Sequence, residues 1–168
     1  DDANRPNQLF LITLGALKSA PLKRKMLCKC LELLIPGAIR SLSDRSVDYP
    51  LKITYNSSVI NDPENPYWGV YSGDEDTRRK PAYHNGTAWT WVFPSFCEAW
   101  VNTFGPSSAG TALSWLGSCE QLINDDFLGF IPEITDGDFP HHIRGCGAQA
   151  WGSSEFLRVI LQLQDINV

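Results

Sequence analysis

The chain has 168 residues, 43% apolar and 20% charged, a composition that supports a buried core and excludes disordered and fibrous classes. Its net charge of -5 comes without a basic stripe, which argues against nucleic acid as a partner, and no apolar run reaches the roughly 18 to 20 residues of a membrane-crossing helix, so no membrane is expected either. Five cysteines, an odd number scattered as Cys28, Cys30, Cys97, Cys119 and Cys146, do not make the disulfide framework of a small secreted domain, and a reducing cytoplasm is the expected setting.

The opening Asp1-Asp2-Ala3-Asn4 has no Met and none of the succession of a signal peptide, so residues 1–168 are read as one partial domain from a longer chain. On periodicity alone, the apolar segment from Gln8 to about Leu17 fits a buried strand or a buried helix. Pro21 suits a first helical turn. Leu22, Met26, Leu27, Cys30, Leu31 and Leu34 then fall at helical spacings, with Lys23, Arg24, Lys25 and Lys29 largely opposite, which predicts an amphipathic helix ending near Pro36-Gly37.

Residues 37–82 are dense in Pro, Gly, Asn and Asp and predict a long irregular loop, with a short strand at Leu51 to Tyr55. Within it, Tyr67-Trp68-Gly69-Val70-Tyr71 presents three rings that either pin the loop to the body or stack on a sugar. The run from Thr87 to Phe104 is apolar around most of a helical circumference and predicts a buried helix, stopped by Gly105-Pro106. A helix capped by Ser107 or Ser108 follows to about Asn124, and a last one runs from about Ala148 to Leu163. The sum is an all-α chain without a repeat of fixed period.

Between the last two helices, Phe130 to Trp151 crowds three carboxylates, two imidazoles, a guanidinium and a thiol into a stretch punctuated by Pro132, Pro140, Gly137, Gly145 and Gly147. A polar loop of this kind, held by apolar flanks, is where a site is expected. Asp136 and Asp138 flank Gly137 as in an Asx turn, and Arg144 suits an ion pair with either, holding Glu133 in place from behind. His141, His142, Cys146 and His84 lack the spacing of a zinc site, the oxygen ligands of a calcium loop are absent, and no metal is expected. Cys146 reads as a small buried thiol beside glycines rather than a nucleophile activated by His142.

Glu133-Ile134-Thr135-Asp136-Gly137-Asp138, followed by Pro140-His141, Arg144-Gly145-Cys146 and Gln149-Ala150-Trp151, resembles the C-terminal part of glycogen debranching enzymes, the amylo-α-1,6-glucosidase family. Tyr83-His84-Asn85-Gly86-Thr87-Ala88-Trp89 and Arg5-Pro6-Asn7-Gln8-Leu9-Phe10 fit the same family in the same order. The chain departs from its pattern at Asn85, Thr90 and Gly152. The resemblance favours helix for the segment after Gln8. It implies an (α/α)6 barrel of which this chain supplies roughly the last two fifths, partnered by a missing N-terminal part. It also implies glycogen or a branched α-glucan as substrate and no cofactor.

Glycoside cleavage needs two carboxyl groups. The resemblance makes Glu133 the general base of an inverting reaction and leaves the general acid upstream of Asp1, so the isolated chain is expected to be inactive. It places His84 and Trp89 at a glucose subsite and Gln149 and Trp151 at its closing wall, with Asp136 and Arg144 beside the substrate. From residue type alone, His84 and Trp89 fit a helix entry and a core equally well, and Trp91 reads mainly as core. Two rivals stand. One is a trehalase or glucoamylase relative on the same barrel; the other is a noncatalytic glucan-binding module in which Glu133 is dispensable. A chain with such buried-type helices is also expected to self-associate when isolated.

Overall fold

The computed structural model describes residues 1–125 and 128–166. Its first helix, α1 (Phe10–Thr13), continues from a 3-10 turn over Pro6–Leu9, and α2 (Ala20–Cys30) follows with Pro21 in its first turn. The amphipathic pattern expected to run to Pro36-Gly37 ends earlier as helix. A 3-10 turn, Leu31–Leu33, leads into β1 (Leu34–Ile35), and the chain reverses at Pro36-Gly37 into β2 (Ala38–Arg40). Gly37 takes a positive φ of 69° at that reversal, a conformation open to glycine and costly for other residues.

The long connection expected over residues 37–82 is indeed mostly irregular. It carries an exposed hairpin of β3 (Thr54–Tyr55) and β4 (Ser58–Val59), whose two turn residues, Asn56 and Ser57, both have positive φ as a type I′ turn requires. The connection ends in a one-turn helix, α3 (Lys80–Tyr83), with Pro81 in its first turn.

The segment from Thr87 is not helical at its start. Ala88–Trp89 form β5, and helix α4 (Phe93–Phe104) begins only where Pro94 can occupy a first turn; Gly105, at φ 87°, ends it. The helix expected to run to Asn124 is two, α5 (Ala109–Leu116) and α6 (Cys119–Asp125), broken at Gly117-Ser118. Beyond the acidic stretch lie β6 (Ile134–Thr135), β7 (Ile143–Arg144) and the last helix, α7 (Ala150–Ile166).

The fold is therefore mixed, which corrects the all-α reading. Helices carry the core. Helix α4 buries Phe93, Phe96, Cys97, Ala99 and Val101 and packs against α1, α2, α5 and α7. Around it, Leu9, Ile12, Leu27, Leu33, Leu116, Val159 and Leu163 are fully or almost fully buried, and Phe96, Trp100 and Trp115 interlock with ring centroids 4.8 to 6.2 Å apart. Cys30 and Cys119 lie in this core as free thiols, each pushed up to about 12 by burial.

Against the helices stands a five-stranded antiparallel sheet in the order β1-β2-β5-β6-β7. Its strands are two or three residues long, too short to show the alternation that identifies a strand in sequence. Trp89 lies opposite Ile39 on one side and Ile134 on the other, and Ile134 lies opposite Arg144. That register brings the segment after Tyr83 alongside the segment after Glu133.

Candidate active site

Three loops meet over the end of this sheet, and they meet through glycine. The Gly137 N–H donates to the Gly69 carbonyl at 2.6 Å, and the Trp68 N–H donates to the Asn85 carbonyl at 2.6 Å. A Cβ on Gly137 would lie 2.2 Å from the Gly86 carbonyl oxygen, and one on Gly86 would lie 2.5 Å from the Trp68 carbonyl. The backbones of residues 67–71, 84–87 and 136–138 are thus in direct contact, closer than any side chain allows. Two of the three rings of the aromatic loop also pin it to the body, as one of its two readings expected: the Tyr67 hydroxyl donates to Asp138, and the Tyr71 ring meets that of Tyr83 at 5.6 Å.

The carboxylates on this frame have different partners. Asp136, 2% exposed, accepts the Tyr71 N–H at 2.7 Å and is gripped by Arg144, with Nε at 3.1 and 3.2 Å and Nη2 at 2.9 Å. Such a buried, bidentate pair is neutralised and fixed. Of the two aspartates considered for Arg144, Asp136 is the one that it takes. Asp138 accepts instead from the Tyr67 hydroxyl at 2.9 Å, a phenol that burial and the neighbouring carboxylate push up and keep protonated.

Glu133 is held by neutral donors. Pro132 and the first atoms of Glu133 are tied to Thr90, whose hydroxyl donates to the Pro132 carbonyl at 2.5 Å. The Glu133 N–H donates to the Cys146 carbonyl at 2.8 Å, and the Cys146 N–H returns a bond to Oε2 at 2.9 Å. Oε1 accepts from the Tyr83 hydroxyl, and burial followed by the Glu133 contact pushes that phenol up, so it stays a donor. Gly145 sits at φ 67°, and a Cβ there would lie 2.5 Å from Oε2, so the carboxylate occupies space that only glycine leaves open.

Tyr83 leads to the aromatic residues. Its ring meets Trp89 edge-on at 4.6 Å, its carbonyl accepts from Trp89 Nε1 at 3.1 Å, and the His84 ring lies parallel over Trp89 at 5.7 Å. Burial, then the charge of Arg5, lowers His84 from its ordinary value, leaving a neutral imidazole at neutral pH. Arg5 itself donates to the Ser41 carbonyl at 3.2 Å, to Asn85 Oδ1 at 2.9 Å and to the His84 carbonyl, and pairs with no carboxylate among the described residues.

His84 and Trp89 form one wall of a cleft of about 660 Å³, whose lining also includes Arg5, Phe10, Trp91 and Trp151. Trp151 stacks on Trp91 at 3.8 Å, with Phe10 on Trp91 at 5.7 Å. Of the residues singled out in sequence, His84, Trp89 and Trp151 line this cleft. Glu133 lies beside it, joined through Tyr83. Asp136 and Arg144 stand in the hairpin beyond Glu133. Gln149 ties the start of α7 to the site through its N–H, 3.2 Å from the Ile131 carbonyl, and its Oε1 is buried without a partner among the described residues.

Trp91 is a lining residue as well as a packing one. Cys146 is exposed rather than buried, and what it gives the site is its backbone. Among the described residues no three His, Cys, Asp or Glu side chains converge as metal ligands. Sequence reasoning passed over Tyr83 and Arg5 as single residues. Tyr83 and Arg5 lie inside the blocks that carry the resemblance, and that was the available signal.

A carboxylate with both oxygens held, next to an aromatic cleft, is a candidate active site. The comparison with known families makes this specific: the amylo-alpha-1,6-glucosidase model matches residues 1–158, and the chain belongs to that family. It is thus a glycosidase-type domain related to glycogen debranching. A search of curated proteins finds no match to the chain.

The glycine contacts predict a sharp contrast between two alanine substitutions. Gly137→Ala should destabilise by about 1 to 3 kcal/mol or more, because its neighbour is backbone and cannot swing away. Gly110→Ala, in α5 with nothing within 4 Å of its added methyl, should stabilise by about 0.5 to 1 kcal/mol. Urea titrations of the two variants read both signs; equal midpoints would contradict the packing described.

Proposed function

We propose that the protein containing this chain hydrolyses α-1,6-linked glucose at the branch points of glycogen or a related α-glucan, with inversion. Glu133 is the general base. A water bound to it attacks the anomeric carbon as the glycosidic C–O bond breaks, the water proton passes to Glu133, and the leaving oxygen takes a proton from an acid. That acid belongs to an upstream segment completing an (α/α)6 barrel, so the isolated chain is inactive. The setting is cytoplasmic, and no cofactor takes part.

One observation carries this reading. Of the three carboxylates in the stretch, Glu133 is the one joined through its phenol partner, Tyr83, to the His84 and Trp89 rings that line the cleft: Asp136 is neutralised by Arg144, and Asp138 is held by Tyr67 in the aromatic loop. A carboxylate offers about four acceptor sites, and Tyr83 and Cys146 take one on each oxygen of Glu133, leaving room for a water. His84, as a neutral imidazole, and the rings of Trp89 and Trp151 supply hydrogen bonding and stacking to a glucose unit. Gln149, Asp136 and Arg144 support them from behind.

The noncatalytic glucan-binding reading has one observation in its favour, that Glu133 does not line the aromatic cleft. Glu133→Gln in the full-length protein divides the two. It keeps the size and the acceptor oxygen but removes the basicity, so single-turnover glucose release should fall by about a hundredfold or more while glucan binding survives. Turnover within about tenfold of the parent would refute the base assignment.

We also propose that the upstream segment covers the apolar residues left bare on α1 and α7. Leu14, just past α1, is 81% exposed, and Leu11, Leu157 and Leu161 are each about half exposed. The isolated chain should therefore self-associate. Light scattering that finds a monodisperse monomer at high concentration would count against it.

A further inference from the structure

We propose that Tyr83 is the positioning residue of Glu133: its hydroxyl fixes the plane of the carboxylate that accepts a proton from water. The inference rests on the reading of Glu133 as base and adds a residue fifty positions away that no motif assigns to the reaction.

The geometry comes from packing around the ring. Tyr83 closes α3, and its ring is bounded by Trp89 at 4.6 Å, His84 at 5.0 Å and Tyr71 at 5.6 Å. Trp89 Nε1 holds the Tyr83 carbonyl at 3.1 Å, so backbone and ring are fixed together. The one polar atom of that ring donates to Glu133 Oε1. On the other oxygen, the Cys146 N–H donates at 2.9 Å.

One donor on each oxygen stops rotation of the carboxylate, which a single donor does not do. The two arms differ in kind. The Cys146 arm is backbone, set by Gly145 and the β6–β7 hairpin, and the Tyr83 arm is a side chain that can be deleted. Burial and the carboxylate keep the phenol protonated, so it remains a donor throughout the working pH range. Loss of that donor frees the carboxylate to turn, and should reach the rate through its orientation toward the water.

The test uses the full-length enzyme. Tyr83→Phe removes one oxygen and keeps the ring packed among Trp89, His84 and Tyr71. We expect kcat on a branched oligosaccharide to fall by about ten- to a hundredfold, the usual weight of a hydrogen bond to a charged group. KM should stay within about twofold, the split expected of a residue that orients the base rather than binds the glucan. Tyr83→Leu, which removes the ring as well, should lose at least as much kcat and melt at a lower temperature. Parental kcat in Tyr83→Phe would overturn the inference, and a loss confined to Tyr83→Leu would reduce Tyr83 to packing. Glu133→Gln run alongside separates the two readings. If it keeps parental turnover, the base assignment falls; if it is inactive while Tyr83→Phe is unchanged, only the role of Tyr83 falls.

Discussion

The site depends on backbone meeting backbone. Gly137 donates to the Gly69 carbonyl, leaves 2.2 Å between its missing Cβ and the Gly86 carbonyl, and so closes three loops onto one another. Nothing in the hydrophobic core requires this contact. It sets the height of the acidic stretch over the sheet. It also joins two segments far apart in sequence, the Tyr83–Trp89 block and the Glu133–Asp138 block, which the β5–β6 pairing then holds in register.

With that frame fixed, three carboxylates in six residues acquire three fates. Asp136 is buried against a guanidinium and serves the hairpin. Asp138 is tied to a phenol and serves the aromatic loop. Glu133 is left with neutral donors on both oxygens, beside a wall of aromatic rings. Partner chemistry, rather than residue type, sorts them. An acid cancelled by arginine cannot act as a base without losing its ion pair, whereas one held by a phenol on one oxygen and an amide on the other keeps its orientation.

Parts of this were legible in the sequence for identifiable reasons. Helix α4 was visible because the run to Phe104 is apolar around most of a helical circumference and Gly105-Pro106 stops it; that Arg144 takes one of the two aspartates beside Gly137 was legible from their charges, but not that the one is Asp136. The start of α4 was misread because Ala88-Trp89 is as apolar as the helix that follows. What separates the two is strand pairing with residues 39–40 and 134–135, which is invisible locally. Two-residue strands carry no period. Tyr83 was unreadable as a partner of Glu133 for the same reason: the bond is made by the fold, and neither residue's neighbours announce it. Cys146 was expected inside because thiols usually are; the hairpin needs its backbone and leaves the sulfur outside.

The central claim is that Glu133 serves a water on one face of the anomeric carbon. It is tested most directly by removing the carboxylate and supplying a small anionic nucleophile in its place. In the full-length enzyme, Glu133→Ala with azide should recover turnover and release β-glucosyl azide, because azide enters on the face that Glu133 prepares and inverts the α-linkage. Release of α-glucosyl azide, or glucose release by Glu133→Ala at the parental rate without azide, would contradict the account.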